Sequence, residues 1–432
     1  MNLKISRWFM KKFFVSSKRA RARPLPELPH DVVLYVVKHL QDDSLSLKAC
    51  TFVNRTWREA AQPLMFRSIA VTGPTRLLQL EKLATDTPSV TSWIKRLDID
   101  RSLTDRGISI PGSQHPSWFF DLGSKLADKL HNLTVLHFSH VTDDTLKPTP
   151  GFFHFISVFK QVKHVTFDDC NFTDPVFFAF IASFPGLEHL RIRNHHRHAV
   201  VGPDVPYLFL PKLRSLRVEL PFNAFDTIIP FLLWLGGTQS VYTLRSVSFQ
   251  NVSGTLPMDG SKRVAAHVGD LLQKCVHLEH LALTAVDKNE ASRVESDAAF
   301  VSHFNFSHNT RLHTISLKDP ADGAIIPLLL KTTIDIRNIN IILDAPPSTP
   351  TPPDGFVENH SAIVSLLETP AFAGVREVKV VNPKKALGAG AGIGSGKDEL
   401  VKRVYKSLLD TGLVKMVEDS EEEYAKTWGG WV

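Results

Sequence analysis

One short pattern recurs along most of this chain and restricts its fold more than any other feature. An apolar residue is followed by two variable residues, a second apolar residue, one variable residue and a third apolar residue. The copies are Ile94-Leu97-Ile99, Leu133-Leu136-Phe138, Val162-Val165-Phe167, Leu187-Leu190-Ile192 and Leu213-Leu216-Val218. They continue as Leu244-Val247-Phe249, Leu278-Leu281-Leu283, Leu312-Ile315-Leu317, Ile336-Ile339-Ile341 and Val375-Val378-Val380. Their middle residues are about 24 to 39 positions apart, about 31 on average. The alternation at the end of each copy predicts a short strand with one buried face. Helical patterns fill several intervals, over Thr75–Ala84, Ser117–Leu130, Asp174–Phe184 and Lys262–Lys274. Strand, helical return and strand again predict an α/β chain whose parallel sheet grows by stacking. Such an architecture suits 432 residues, too many for a typical single compact domain.

The template resembles the leucine-rich repeat in an irregular form. The asparagine usual in that repeat is mostly missing; Asn171 and Asn251 are the nearest candidates. The resemblance implies a solenoid over residues 67–385, interrupted by a proline-rich loop at 345–355. The positions between the apolar residues are then expected on its concave face, a common ligand surface. They run from acidic (Asp98, Asp100) through His137, Ser139, Thr166 and Asp168 to basic (Arg191, Arg193, Arg217), and later copies are neutral or apolar. Binding hot spots favour arginine, so Arg191, Arg193 and Arg217 are the expected contacts for a target.

Ahead of the repeats, Leu25 to Phe66 reads as three short helices. The first carries Val32, Val33, Val36, Val37 and Leu40 on an apolar stripe after Pro29. Ser44 is the expected cap of the second, with Leu45, Leu47 and Ala49. Asn54 is the expected cap of the third, which carries Trp57 and should end near Pro63. About forty residues are too few for a sizeable private core. The unit is expected to leave apolar surface open to a partner or to dock on the rest of the chain.

The ordered set Leu28-Pro29, Val32/Val33, Val36/Val37, Leu40, Leu45 and Val53-Asn54-Arg55-Thr56-Trp57-Arg58, followed by Pro63, Leu64 and Phe66, resembles an F-box. Gln41 stands where many members have proline. An F-box docks cullin–RING ubiquitin ligases through a small Skp-type linker protein. The resemblance implies that Leu28, Pro29, Val33, Val36, Leu40, Leu45, Val53 and Trp57 contact that linker. It also implies a substrate-recognition adaptor of SCF type, bound to a cullin complex and an unidentified target in the cytoplasm or nucleus. An F-box followed by irregular repeats resembles the large F-box families of mushroom-forming fungi. The other reading is a non-catalytic repeat scaffold whose N-terminal helices only cap the repeats.

The remaining features mostly exclude. The net charge of +6 comes from eight bases and no acid in residues 1–23, so it is no sign of a specific nucleic-acid face. Residues 1–24 read as a basic disordered tail, with nuclear import, an anionic membrane surface and organelle targeting as the functional readings. Cys50, Cys170 and Cys275 are scattered, which fits a reducing compartment and neither disulfide framework nor zinc module. No apolar run reaches membrane-spanning length. The Gly/Ala-rich run Ala386–Gly396 misses both phosphate-loop and dinucleotide spacings. His195, His196 and His198 lack a completing ligand and read as a polar loop. No catalytic residues, metal or cofactor are expected, and the chain reads as no enzyme. Residues 386–432 read as a flexible linker, a helix over Lys397–Val417 and an acidic tail with Trp428 and Trp431.

Overall fold

The computed structural model describes residues 28–100, 126, 128–142, 156–194, 196–198, 211–219, 228–250, 258–284, 302–319, 336–343, 356–383 and 404–419. The basic tail, most of Ser117–Leu130, Asn251, the proline-rich loop, the Gly/Ala-rich run and the two C-terminal tryptophans lie outside the described residues. Among the described residues no helix is long and apolar enough to cross a membrane. The chain divides into two compact units at Phe66/Arg67.

The first unit holds helices α1 (His30–His39), α2 (Ser44–Cys50) and α3 (Arg55–Met65). Pro29 precedes α1 in an extended conformation, and its carbonyl accepts the first helical bond from the Val33 amide. Asp43, not Ser44, caps α2: its carboxylate accepts from the amides of Leu45 and Ser46. Asn54 caps α3 as expected, accepting from the Trp57 amide at 3.0 Å. That helix runs through Pro63 to Met65 rather than ending at the proline. The unit has a small core after all: Val33, Val37, Leu47, Cys50, Ala60 and Ala61, with Leu40, Trp57, Leu64 and Met65 packed against it.

The second unit is built on one parallel sheet. Its strands are β1 (Ser68–Val71), β2 (Arg96–Asp100), β3 (Val135–Ser139) and β4 (His164–Asp168), with a short β5 (Asn171–Thr173) following. They continue as β6 (His189–Arg193), a short β7 (His196–His198), β8 (Ser215–Glu219), β9 (Ser246–Gln250) and β10 (His280–Thr284). The last are β11 (Thr314–Asp319), β12 (Asn338–Leu343), β13 (Glu377–Pro383) and β14 (Val414–Asp419). Twelve strands form the main sheet in chain order, each parallel to its predecessor, and β5 and β7 pair in a second ladder. All ten copies of the apolar template fall on strands β2 to β13 of the main sheet.

Helical returns lie between the strands. They include α4 (Pro74–Asp86), α5 (Pro88–Thr91), α6 (Asp174–Ile181), α7 (Ile229–Gly236), α8 (Met258–Lys274), α9 (Phe356–Leu367) and α10 (Lys406–Asp410). The inward strand residues and these helices bury one continuous core. Its aromatic centre is Phe167, with the rings of Phe138, Phe172, Phe177 and Phe180 at 5.2–5.9 Å between centroids. Gly186 marks a close approach between repeats, since a Cβ there would stand 2.5 Å from the Lys160 carbonyl oxygen.

Two devices recur from repeat to repeat. The residue after β3, β4 and β6 (His140, Asp169, Asn194) takes a left-handed φ of 56°, 51° and 46°. Each then donates its N–H to the last carbonyl of the next strand, on Asp168, Arg193 and Glu219. At the opposite end, the carbonyl just before each of β1–β4, β6 and β8–β12 accepts two amides from the following repeat, as Lys163 does from Glu188 and His189.

Two expectations fail here. The predicted helix over Lys397–Val417 is described from residue 404, and there α10 spans only Lys406–Asp410 before β14 adds a strand to the sheet. The buried Tyr405 hydroxyl, hydrogen-bonded to His360 Nδ1 at 2.7 Å, ties this segment to α9. His196–His198 is the strand β7 rather than a loop.

Candidate functional site

In the helical unit the surface is more apolar than a private core requires. Leu28, Leu34, Tyr35, Leu45, Phe52 and Val53 are all exposed, Leu45 at 78% and Phe52 at 74%. The reason is local. A three-helix unit this short encloses only the side chains at its centre, so the other halves of its apolar stripes face outward.

The expected linker contacts therefore separate. Leu28, Pro29, Leu45 and Val53 are exposed, and Val36, Leu40 and Trp57 are half-buried. Val33 is corrected: it is buried in the unit's own core beside Val37, so it holds the unit together and presents no surface. Tyr35 and Phe52 were not singled out by sequence. Their signal was the continuation of the apolar spacing past the stripe on α1 and past the end of α2.

On the sheet, the face opposite the helices carries a network of charge. Asp98 is its first node. Arg96 Nε donates to Asp98 Oδ1 at 2.8 Å, Ser68 donates to Oδ2 at 3.0 Å, and His137 Nδ1 lies 3.0 Å from Oδ1. Burial pushes the Asp98 carboxyl up, but these hydrogen bonds outweigh it and hold it below the ordinary range. Glu219 is the second node. Arg191 donates to its Oε1 through Nε and Nη2, at 3.0 and 2.7 Å. Arg217 Nε lies 2.7 Å from the same oxygen, and Arg193 spans Glu219 and Asp168 at 3.7 and 3.5 Å.

The register explains the convergence, because Arg191 pairs with Arg217 and Arg193 with Glu219 across β6 and β8. The arginines expected to meet a target are thus already committed to carboxylates. Arg193 keeps 47% of its side chain exposed and Arg217 only 11%.

A third row lies just before the strands: Arg67, Lys95, Thr134, Lys163, Glu188, Arg214, Arg245, Glu279, His313, Arg337 and Arg376. The doubled amide bonds described above stack these positions one strand spacing apart. Lys163 and Arg214 flank Glu188, and Arg245 pairs with Glu279 at 3.5 Å. Among the described residues no carboxylate pairs with Arg311 or Arg337, which line a cavity of about 600 Å³. A neighbouring cavity of about 490 Å³ is lined by Lys212, Arg214, Arg245, Arg311, His277 and the exposed Tyr242, among others. Sequence reading missed this row, although the second template position is Lys or Arg in Lys95, Lys163, Arg214, Arg245, Arg337 and Arg376.

Neither unit shows a nucleophile set up for catalysis among the described residues. Cys50, Cys170 and Cys275 are free and buried. Burial pushes the thiols of Cys170 and Cys275 up to about 12, which keeps them protonated and unreactive.

Three short helices that leave large apolar side chains exposed precede a parallel sheet in the chain. Residues 25–102 match an F-box family model, so the chain carries an F-box domain over those residues. The matching model is described as the COS11 F-box domain, and it runs past the three helices through β1, α4, α5 and β2. No curated protein matches the chain.

Proposed function

We propose that this chain is the substrate-recognition adaptor of an SCF-type cullin–RING ubiquitin ligase, working in the cytoplasm or nucleus. Its helical unit docks the Skp-type linker protein through Leu28, Pro29, Leu45 and Val53, joined by Tyr35 and Phe52. Its sheet unit is an irregular leucine-rich-repeat solenoid that holds a target protein. The chain supplies no chemistry of its own; it raises the local concentration of the target's lysines near the charged ubiquitin-conjugating enzyme. The observation that carries this reading is the set of large apolar side chains left exposed on a unit that already has a core. For the target, the supporting feature is charge. Arg193 on the sheet face and Arg311 and Arg337 before the strands are exposed cations suited to acidic groups.

The test is a pull-down of the purified linker protein by the full chain, comparing wild type with Leu45→Asp/Val53→Asp. Both positions are exposed, so the variant keeps its fold. Capture by wild type and loss in the variant is the expected result. Linker absent from both lanes overturns the adaptor reading and leaves a repeat scaffold without a ligase.

A further inference from the structure

We propose that Glu279, His280 and His313 form a binding site for a divalent transition-metal ion such as Zn²⁺. One donor atom from each side chain lies within 4.8 Å of the other two. Sequence separation hides the group. The parallel register places His280 beside Thr314, which sets His313 next to Glu279 at the start of β10 and β11. The His313 amide donates to the Glu279 carbonyl at 3.1 Å, fixing that neighbourhood through the backbone.

The donor set selects the ion. Two imidazoles and one carboxylate are a set that Zn²⁺ uses when three protein ligands leave a fourth position open. Nitrogen donors disfavour Mg²⁺ and Ca²⁺, which take oxygen. The two rings cross at 85°, with centroids 4.8 Å apart, instead of stacking. His313 Nδ1 and Thr314 Oγ1 are hydrogen-bonded at 3.0 Å, and Thr314 Oγ1 accepts from Asn338 Nδ2 at 3.4 Å. With Nδ1–H donating to that hydroxyl, Nε2 is the nitrogen left for metal, the orienting arrangement typical of ligating histidines.

The cavity lined by Glu279, His313, Arg311 and Arg337 gives the fourth position access to solvent. The charge there works in two directions. Arg245 Nη1, 3.5 Å from Glu279 Oε1, competes with the ion for the carboxylate. Arg311 and Arg337 oppose a dication but favour an anionic fourth ligand over water.

The experiment uses the full chain, stripped with chelator. Co²⁺ is titrated and followed by its visible d–d absorption, and Zn²⁺ by isothermal titration calorimetry. One ion per chain is expected, lost in His280→Ala/His313→Ala and weakened about tenfold or more in Thr314→Val. His195→Ala/His196→Ala/His198→Ala serves as the control for adventitious histidine binding and retains the ion. His280 is exposed and His313 half-buried, and circular dichroism verifies that each variant is folded. No binding by wild type, or equal binding by the double variant, overturns the site.

Discussion

Phe52 and Phe167 are the same side chain under opposite constraints. Phe52, at the end of the second helix, is 74% exposed, while Phe167, in the fourth strand, is fully buried among four other rings. The sheet unit spends its large apolar groups on its own core. The helical unit spends only six small and branched residues that way and keeps larger ones outside. The lesson is that apolar content is distributed differently in the two units, mostly inside in one and partly outside in the other, where the proposed linker contact would use it. Phe167→Ala should cost about 3–5 kcal/mol of stability, read from denaturant unfolding. Phe52→Ala should change stability by no more than about 0.5 kcal/mol. It should nevertheless weaken linker binding by about 2 kcal/mol, roughly thirtyfold, as an interface anchor. Equal destabilisation by the two substitutions would mean that Phe52 is covered in solution, and the contrast would fail.

The sheet unit contains a second contrast of the same kind, in charge. Arg191, Arg193 and Arg217 share Glu219, whereas Arg311 and Arg337 have no carboxylate partner among the described residues. Glu219→Gln keeps the shape and removes the charge that three guanidiniums face. It should destabilise the sheet unit by about 1–3 kcal/mol, because the mostly covered Arg217 loses its counter-charge. Arg337→Gln, at an exposed position, should alter stability by no more than about 0.5 kcal/mol. Urea unfolding of both variants checks the pair. An unchanged Glu219→Gln would show that the face arginines are solvated and as available to a target as those before the strands.

How far the sequence could carry these distinctions depends on what each one rests on. The inward strand positions were legible because burial in a parallel sheet demands apolar alternation, and Leu97, Leu136, Val165 and their equivalents provide it. The fourteenth strand was not. Its first template position is the polar Thr411, and the helical spacing of Val404, Leu408 and Leu409 leads straight up to it with no break at the true helix end, Asp410. Val33 was misplaced because Val32, Val33, Val36 and Val37 span both halves of a wide stripe, and only packing against Leu47 and Ala61 decides which half turns in. The F-box-like order of residues was legible as a set, and its extension through the second strand was not. Pairings such as Arg191 with Glu219, or Glu279 with His313, depend on strand register across some thirty residues, which local patterns do not contain.

Register also creates an acid-sensitive point in the sheet unit. His164 and His189 are paired across β4 and β6 with their rings parallel and 4.2 Å apart. Burial, and then the neighbouring His164, push the His189 imidazole down to about 4, and burial lowers His164 as well. Both are held neutral in the fold, so the unfolded chain takes up more protons below its ordinary imidazole pKa of about 6.5. Stability should be full above about pH 6.5 and fall as the pH drops toward 4. The loss should be about 1–2 kcal/mol, since the half-exposed rings are partly screened. His189→Phe keeps a stacked ring and should remove most of that slope. A slope unchanged in this variant would place the acid sensitivity elsewhere.

The smallest effect tests whether the helical unit's modest core leaves it dependent on its caps. Asn54 accepts from the Trp57 amide and so satisfies one of the free donors at the start of α3. Asn54→Ala should cost about 1 kcal/mol of helical-unit stability. In a large core such a loss disappears into the total. Here it falls on a unit with six core residues, and α3 also carries Trp57 against them. Linker binding should then weaken by up to the same amount, because the unit must reorder α3 before it docks. Gly at this position should restore most of the loss, since glycine is itself a tolerated cap. Asn54→Ala with wild-type stability and wild-type linker affinity would show that packing alone sets the start of α3, and that this small unit is as self-sufficient as the sheet.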